Sequence, residues 1–226
     1  GPQKKLTAQK GEKKVTIIGA GPSGLSAAKD ISKMGYSVTI YETFSIPGGM
    51  LNVGIPPYRL PREVVSQAID EIRRLGVEIL TGIPIGKELN LETLREKYDA
   101  VYIAAGAHKA EKLGIPGEDL QGVIHGVTFM QMVNLEKDLK MGSRVAVVGG
   151  GNTAMDAARS SLRLGAKEVF ILYRRTREEM PVDPRELEQV EEEGIKIHYL
   201  TSPIRVLSED GIKVSGIRCI RNRLGD

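Results

Sequence analysis

Two glycine turns, and the charged residues that follow each of them, carry most of the chemistry legible in this chain of 226 residues. The first turn is Gly19-Ala20-Gly21-Pro22-Ser23-Gly24, and an acid, Glu42, stands about 20 residues beyond it. The second is Gly149-Gly150-Gly151-Asn152-Thr153-Ala154, with Tyr173-Arg174-Arg175 in the corresponding place. The spacing G-x-G-x-x-G/A suits a pyrophosphate. The first glycine permits a tight turn, the second lets the phosphates approach the backbone, and the third small residue lets a helix pack on its strand. The helix that opens there turns unpaired N–H groups and a partial positive charge toward the anion. An acid after the second strand accepts a bond from a free ribose 2′-hydroxyl and repels a 2′-phosphate, whereas arginines pair with that phosphate. The pattern therefore predicts two dinucleotide sites of opposite ribose preference. Gly19, Ala20, Gly21, Pro22, Ser23, Gly24 and Glu42 serve the first; Gly149, Gly151, Asn152, Thr153, Arg174 and Arg175 serve an NADP(H) site. A surface pairing of Arg174 and Arg175 with Glu178 or Glu179 is the alternative reading of the basic pair.

A lone glycine turn is weak evidence, so the elements around each turn decide its meaning. Val15, Ile17 and Ile18 predict a buried strand before the first turn, a helical pattern opens at Leu25, and Ser37 to Tyr41 forms the second strand. The same order recurs in the second half. Arg144 to Val148 is a strand, Ala157, Ala158, Leu162 and Leu164 lie on a helix ending at Gly165, and Val169 to Tyr173 is the next strand. Such a repeat argues for two nucleotide sites. After Glu42, residues 43–61 are broken by Pro47, Gly48, Gly49, Gly54, Pro56, Pro57 and Pro61 and predict a long irregular loop. Its apolar side chains, Met50, Leu51, Val53, Ile55 and Tyr58, need a surface to lie on, and a flat flavin ring is one candidate. Pro61 opens a helix carrying Val64, Val65, Ala68, Ile69, Ile72 and Leu75, which Gly76 stops. Val77 to Leu80 is a strand, Leu91 to Lys97 a short helix, and Ala100 to Ala104 a buried strand. Ala105-Gly106-Ala107 then reads equally as a close approach to a ligand or as tight packing. Gly114 to Gly122 is turn-rich and marks the expected domain boundary. Val127 to Leu139 is helical, and so is Asp183 to Glu193, capped by Asp183 with Pro184 in its first turn and acids on a solvated face. His198 reads as a structural residue of a strand, His108 follows the small-residue turn, and residues 203–221 suggest a hairpin. The fold class is α/β, with two Rossmann-like dinucleotide-binding domains over residues 13–110 and 111–226.

Composition narrows the function further. Hydrophobic residues are 41% and charged residues 27%, a globular balance. A net charge of +3 with only 4% aromatic residues argues against a nucleic-acid surface, and the polar, basic residues 1–12 read as a solvated arm. No apolar run is long enough for a membrane span or a signal peptide. Cys219 is the single cysteine. It allows no intrachain disulfide, no CxxC redox pair and no thiolate-held iron–sulfur cluster, and it fits a reducing, cytoplasmic setting. No side chain reads as a catalytic acid, base or nucleophile, and none as a metal ligand.

At this point the chain resembles the flavoprotein family of the glutamate synthase small (beta) subunit, which includes the flavin half of dihydropyrimidine dehydrogenase. The likeness is carried by GAGPSGL with Glu42, by PGGM…GIPPYRLP (Pro47 to Pro61), by GGGNTAMDAAR (Gly149 to Arg159) and by YRRTREEMP (Tyr173 to Pro181), with IPGEDLQGV (Ile115 to Val123) as a further shared turn. The resemblance implies a glutathione-reductase-like layout. FAD would contact Gly19 to Gly24 and Glu42 through Gly48, Gly49 and Met50, with Arg59 near the flavin, Ile85 near the adenine-side strand, and Ala105 and Gly106 at the neighbouring strand end. NADPH would contact the second turn and Arg174 and Arg175. The implied reaction is hydride transfer from NADPH to FAD and delivery of electrons to iron–sulfur clusters of a partner subunit or domain, chemistry that belongs to the cofactors. Family members carry a cysteine-rich segment and a chain return into the FAD domain, neither of which occurs in this sequence. A piece of a longer protein with an incomplete FAD domain and weak FAD retention is therefore expected. The rival readings are a non-catalytic nucleotide-binding or electron-transfer adaptor, and a thioredoxin-reductase-type enzyme, which the single cysteine disfavours.

Overall fold

The computed structural model describes residues 13–87, 89–136 and 139–225. The arm expected over residues 1–12 lies outside the described residues, as do Lys137 and Asp138 of the helix expected to run to Leu139. The described residues fall into two compact units, and the chain passes from the first to the second between Ala107 and His108.

The first unit opens with β1 (Lys14–Ile18), α1 (Pro22–Lys33) and β2 (Ser37–Tyr41). There follow α2 (Met50–Val53), α3 (Arg62–Arg74), β3 (Glu78–Leu80), α4 (Leu91–Lys97) and β4 (Ala100–Ile103). Its four strands are all parallel in the order β3-β2-β1-β4. The chain builds outward from β1 to β3, then crosses back to place β4 on the other side of β1. That reversal makes a topological switch point at the carboxyl end of β1, where open α/β sheets hold their ligands. The core is one cluster: Ile17, Val38 and Ile40 from the sheet, Leu25 and Ala28 from α1, and Val65, Ile69 and Ile72 from α3. The α3 residues sit at i, i+4 and i+7, a single narrow stripe. Val64 and Leu75, expected on that stripe, are 55% and 41% exposed and fall outside it.

Three further expectations are corrected. The helix expected from Leu25 begins at Pro22, with Gly21 as its N-cap, because proline suits the first helical turn. The strand expected to be buried over Ala100 to Ala104 has Tyr102 at 42% and Ile103 at 61% exposure, since among the described residues β4 pairs only with β1 and stands at the edge of the sheet. The loop over residues 43–61 contains the short helix α2.

The second unit contains α5 (Gly126–Asn134), β5 (Arg144–Val148), α6 (Asn152–Arg163), β6 (Glu168–Leu172), α7 (Pro184–Glu192) and β7 (Lys196–His198). The antiparallel hairpin β8 (Thr201–Leu207) and β9 (Gly216–Arg221) follows. β5, β6 and β7 form a parallel sheet in that order. Met155, Ala158, Val169, Ile171, Leu187, Val190 and Ile195 close its main core, and Phe129 and Met130 of α5 pack with Ala157 of α6. The Gly114 to Gly122 crossing belongs to this unit. Pro116 accepts from Val206 N at 2.9 Å, and Gln121 N donates to Ile212 O at 2.9 Å.

The acids of α7 are not all a solvated face. Glu193, just past its end, accepts from Arg159 Nε and Nη2 at 2.9 and 2.7 Å and from Arg163 Nη1 at 3.0 Å. It thereby clamps α6 to the end of α7. Burial pushes the Glu193 carboxyl up, but the bonds from Arg163 and Arg159 outweigh it and hold it below the usual carboxylate range. A depressed folded-state pKa gives stability that is present above the unfolded pKa and lost as pH falls through the folded one. Glu193→Gln should therefore cost the second unit about 2 kcal/mol at neutral pH. Amide-exchange protection in β6 should report this cost, and the gap from the parent should close as pH drops below the ordinary carboxylate range.

Candidate dinucleotide-binding sites

In the first unit β1 ends at Ile18, and Gly19 N donates to Tyr41 O at 2.8 Å, so the turn is fixed to the end of β2. Gly19 has φ +106°, and a Cβ there would overlap the Ala104 carbonyl oxygen at the end of β4. A Cβ on Gly24 would overlap the Gly19 oxygen and lie 3.2 Å from Ile17 Cγ2. Gly48 N donates to Ala20 O at 2.8 Å, and a Cβ on Gly49 would be 2.7 Å from Gly21 Cα. Two backbone stretches of small residues, 19–21 and 48–49, thus lie against one another at the start of α1. That helix has neither a side-chain cap nor an acid in its first turn, whereas α4 and α7 are capped by Asn90 and Asp183. Bare backbone beside an uncapped helix N-terminus fits a diphosphate.

Glu42 is buried at this turn. Its Oε2 accepts from Ala20 N and its Oε1 from Phe44 N, both at 2.8 Å. The expected ribose acceptor therefore also fastens the middle of the turn. Each carboxylate oxygen has a second acceptor site, so these bonds leave capacity for a hydroxyl. Pro22 and Ser23 are exposed, and Ser23 Oγ lies 2.8 Å from Tyr102 Oη of β4. Ala105 N would be 3.4 Å from a Cβ on Gly19, the tight packing that was one reading of Ala105-Gly106-Ala107, while Gly106 is exposed with φ +70°. Tyr41 Oη is 3.0 Å from Tyr98 Oη, and burial, followed by that bond, pushes it up to about 12, so it stays protonated at neutral pH.

Two expected residues, Arg59 and Ile85, lie outside the named strands and helices. Arg59 is exposed on the turn after Pro56, and its N–H donates to Pro56 O at 3.0 Å. Ile85 is not on a strand; β3 ends at Leu80, and Ile85 forms an isolated bridge with Leu89 after Pro84, which has no N–H to extend the ladder. Ile83, not Ile85, pairs with the acid's backbone, its N–H donating to Glu42 O at 2.9 Å.

Sequence reasoning missed Arg62 and Asn52. Arg62 donates from Nη1 to Leu51 O at 2.9 Å and from Nη2 to Ile55 O at 3.0 Å, closing the loop around α2, and burial lowers its pKa. The available signal was a cation in the first turn of a helix, where the macrodipole disfavours it. Asn52 is buried, donates from Nδ2 to Pro47 O at 2.7 Å, and keeps Oδ1 buried with no hydrogen-bond partner among the described residues. A donor from a ligand or a water would satisfy that atom.

The second turn repeats the first. Gly149, at φ +137°, donates from N to Leu172 O at 3.1 Å. Gly151 is the N-cap of α6 with nothing within 4 Å of where a Cβ would be, and Asn152 and Thr153 are exposed beside it. A Cβ on Gly149 would meet the Ala154 methyl at 3.5 Å, an ordinary contact, so this turn is wide enough for alanine at its third position. Arg174 and Arg175 are both exposed just beyond β6. Arg175 Nε lies 3.9 Å from Glu179 Oε1, so part of the alternative surface pairing is present. Arg174 O accepts from Asn222 Nδ2 at 2.7 Å, and Arg175 O from Leu200 N at 3.0 Å. His108 lies 3.1 Å from Gln131 of α5, and His198 packs edge-on against Phe170. Cys219 is half-buried on β9, and burial raises its thiol. Among the described residues no group of His, Cys, Asp and Glu is arranged to hold a metal, and no helix is long and apolar enough to cross a membrane.

Parallel sheets with a glycine turn at the carboxyl end of the first strand, twice over, define a protein with two dinucleotide-binding units. The sequence profile of the pyridine nucleotide-disulphide oxidoreductase family matches residues 13–220, and the chain belongs to that family. It is 47% identical to the NADP(+)-dependent formate dehydrogenase subunit beta of Moorella thermoacetica over 97% of this chain and 31% of that protein. It is 36% identical to the glutamate synthase [NADPH] small chain of Halomonas elongata over 95% of this chain and 47% of the relative. The chain thus spans less than half the length of either relative. Among solved structures, FprA from Mycobacterium tuberculosis has a TM-score of 0.76 at 25% identity, covering 95% of this chain and 65% of FprA.

Proposed function

We propose that this chain is the nucleotide-binding part of an NADPH-dependent flavoprotein oxidoreductase, with FAD on the first unit and NADP(H) on the second. The observation that carries the reading is the difference between two otherwise equivalent turns. Glu42 follows β2, and Tyr173-Arg174-Arg175 follows β6. A carboxylate suits the unphosphorylated ribose of FAD; guanidinium groups suit the 2′-phosphate of NADPH. The bare backbone at Gly19, Gly21 and Gly49, and the open space at Gly151, fit the two pyrophosphates.

When bound, FAD supplies the conversion between a two-electron hydride from NADPH and one-electron delivery to an acceptor. The chain's own residues bind and orient. Gly19 to Gly24 present backbone N–H groups to the FAD pyrophosphate, Glu42 accepts from its ribose, and Gly48 to Met50 with Arg59, Ala105 and Gly106 line the flavin side. Ile85, outside β3, contacts the adenine from the loop. Gly149, Gly151, Asn152 and Thr153 receive the NADPH pyrophosphate, and Arg174 and Arg175 its 2′-phosphate. The matched relatives are named as a subunit beta and a small chain, which supports a partner subunit, and we assign that partner an iron–sulfur acceptor in a cytoplasmic setting. A thioredoxin-reductase-type reaction is disfavoured, because it needs a redox cysteine pair and the burial-raised thiol of Cys219 stands alone.

Flavin fluorescence tests the first half of the reading. The chain should bind FAD saturably, and Glu42→Ala should weaken it about tenfold or more, since it removes a ribose acceptor and the bond to Ala20 N together. FAD-loaded chain should oxidise NADPH with ferricyanide faster than free FAD does. Saturable binding of both nucleotides without such turnover would favour the adaptor reading, and absence of FAD binding would sink the assignment of the first unit.

A further inference from the structure

In the second unit an aromatic ring fills the place that an acid holds in the first. The strand registers make the comparison direct: Ile18 pairs with Tyr41 and Val148 with Leu172, so Glu42 and Tyr173 are each the first residue past the second strand. Both meet the middle residue of their glycine turn. Glu42 does so through a hydrogen bond from Ala20 N. Tyr173 does so by contact, because a Cβ on Gly150 would lie within 2.5 Å of ring carbon Cδ2 and 3.0 Å of Cζ. Gly150 is therefore glycine, where the first turn has Ala20, because the ring lies on it. Tyr173 is 8% exposed and belongs to the main core of its unit.

The far end of the same ring reaches the basic loop. Tyr173 Oη donates to Glu179 O at 2.7 Å. Glu179 in turn closes the loop on itself, its Oε2 accepting from Thr176 N at 3.0 Å and from Thr176 Oγ1 at 3.1 Å. The backbone of Tyr173 is held as well: its N–H donates to His198 O at 3.0 Å and its carbonyl accepts from Thr201 N at 2.9 Å. The ring thus covers the middle of the phosphate turn and its hydroxyl holds the far end of the segment carrying Arg174 and Arg175, while the backbone of the same residue fixes the near end.

We propose that Tyr173 is a positioning residue that sets the preference of the second site for a 2′-phosphorylated adenosine. The proposal rests on the NADP(H) reading of that site. Its ring occupies the position from which a carboxylate would repel the phosphate. Its hydroxyl, through the Glu179 carbonyl, presets the loop backbone, so that the segment carrying the two arginines need not be ordered when the nucleotide arrives. Preorganisation of this kind raises affinity by reducing what binding must immobilise. Arg174 and Arg175 would touch the phosphate; Tyr173 acts through them.

The test is calorimetric titration of the full chain with NADP+ and with NAD+, which differ only in the 2′-phosphate. Tyr173→Phe keeps the ring on Gly150 and removes only the bond to Glu179 O. It should weaken NADP+ about fivefold and leave NAD+ within about twofold. Amide exchange over residues 175–179 should quicken in the same variant while β5 and β6 remain as protected as in the parent. An unchanged NADP+ affinity in the folded variant overturns the proposal, and so do equal losses for the two nucleotides. The double variant Arg174→Ala, Arg175→Ala separates the two levels. If it abolishes the preference for NADP+ and Tyr173→Phe leaves that preference unchanged, the positioning role alone fails. If it leaves the preference intact, the NADP(H) reading fails and takes the role of Tyr173 with it.

Discussion

Gly24→Ala should cost the first unit about 3 kcal/mol or more, while the opposite exchange at the equivalent place, Ala154→Gly, should cost the second unit only about 1 kcal/mol. Helix propensity alone predicts the reverse for Gly24, since alanine in a helix is favoured over glycine by about 1 kcal/mol. The geometry overrides it. The added methyl would overlap the Gly19 carbonyl oxygen, sit 3.1 Å from the Gly19 carbonyl carbon and crowd Ile17 Cγ2. None of these neighbours can yield cheaply. Gly19 is fixed by its bond to Tyr41 O, its own Cβ position is already filled by Ala104, and Ile17 is fully buried. The helix must move off the strand, and its N-terminus leaves the turn. In the second unit that separation is built in, because the Ala154 methyl already sits at ordinary contact distance from Gly149. Two units can unfold separately, so residue-resolved amide exchange is the right measurement. Protection should fall by about a hundredfold or more in β1 and β2 of Gly24→Ala and by only about fivefold in β5 and β6 of Ala154→Gly. Gly24→Ala should also abolish saturable FAD binding, whereas full protection with normal FAD affinity would show that the turn has slack that the contacts at Gly24 do not reveal.

That asymmetry was partly legible in the residues, glycine in one turn and alanine in the other, and its basis was not. Side-chain periodicity reports what an element buries, so apolar strands bounded by charges and turns emerge clearly; β2, α4 and β5 have the bounds expected for them. The same signal fails where an element buries nothing in a periodic way. The first turn of α1 is Pro22-Ser23-Gly24, which faces the phosphate turn, so the helical pattern was visible only from Leu25. α2 is four residues long and held by Arg62 from the following helix, so the surrounding Gly and Pro residues masked it. The apolar run of β4 read as buried because composition cannot tell an edge strand from a central one. Glu42 stands out by its place in the fingerprint, yet its bonds to Ala20 N and Phe44 N need the strand register before they can be seen. The pairing of Gly150 with Tyr173 is of the same kind.

Removing both guanidinium groups from the second site, Arg174→Ala with Arg175→Ala, should weaken NADPH about a hundredfold and NADH less than about threefold. Charge-assisted hydrogen bonds contribute about 1.5–3 kcal/mol each when formed, and two exposed arginines facing one phosphate should together reach about 2.7 kcal/mol after screening. The pair is available for this. Arg175 is held only loosely, 3.9 Å from Glu179, in a half-exposed surface contact of a type worth about 0–1 kcal/mol, which a dianionic phosphate can displace. Two conditions should change the measured preference in fixed directions. Raising the salt should reduce it, because exposed charges are screened within about 8 Å at physiological ionic strength. Lowering the pH through about 6 should also reduce it, as a phosphate monoester takes up its second proton there and loses half its charge while the arginines keep theirs. The neighbouring acid does not reverse this sign. Thr176 N, the largest influence, holds the Glu179 carboxyl below the usual range, and Arg175 adds to it, so Glu179 stays ionised well below pH 6. Equal losses of NADPH and NADH in the double variant, or a preference that ignores salt and pH, would assign Arg174 and Arg175 to the surface pairing with Glu179 and leave the 2′-phosphate to other residues.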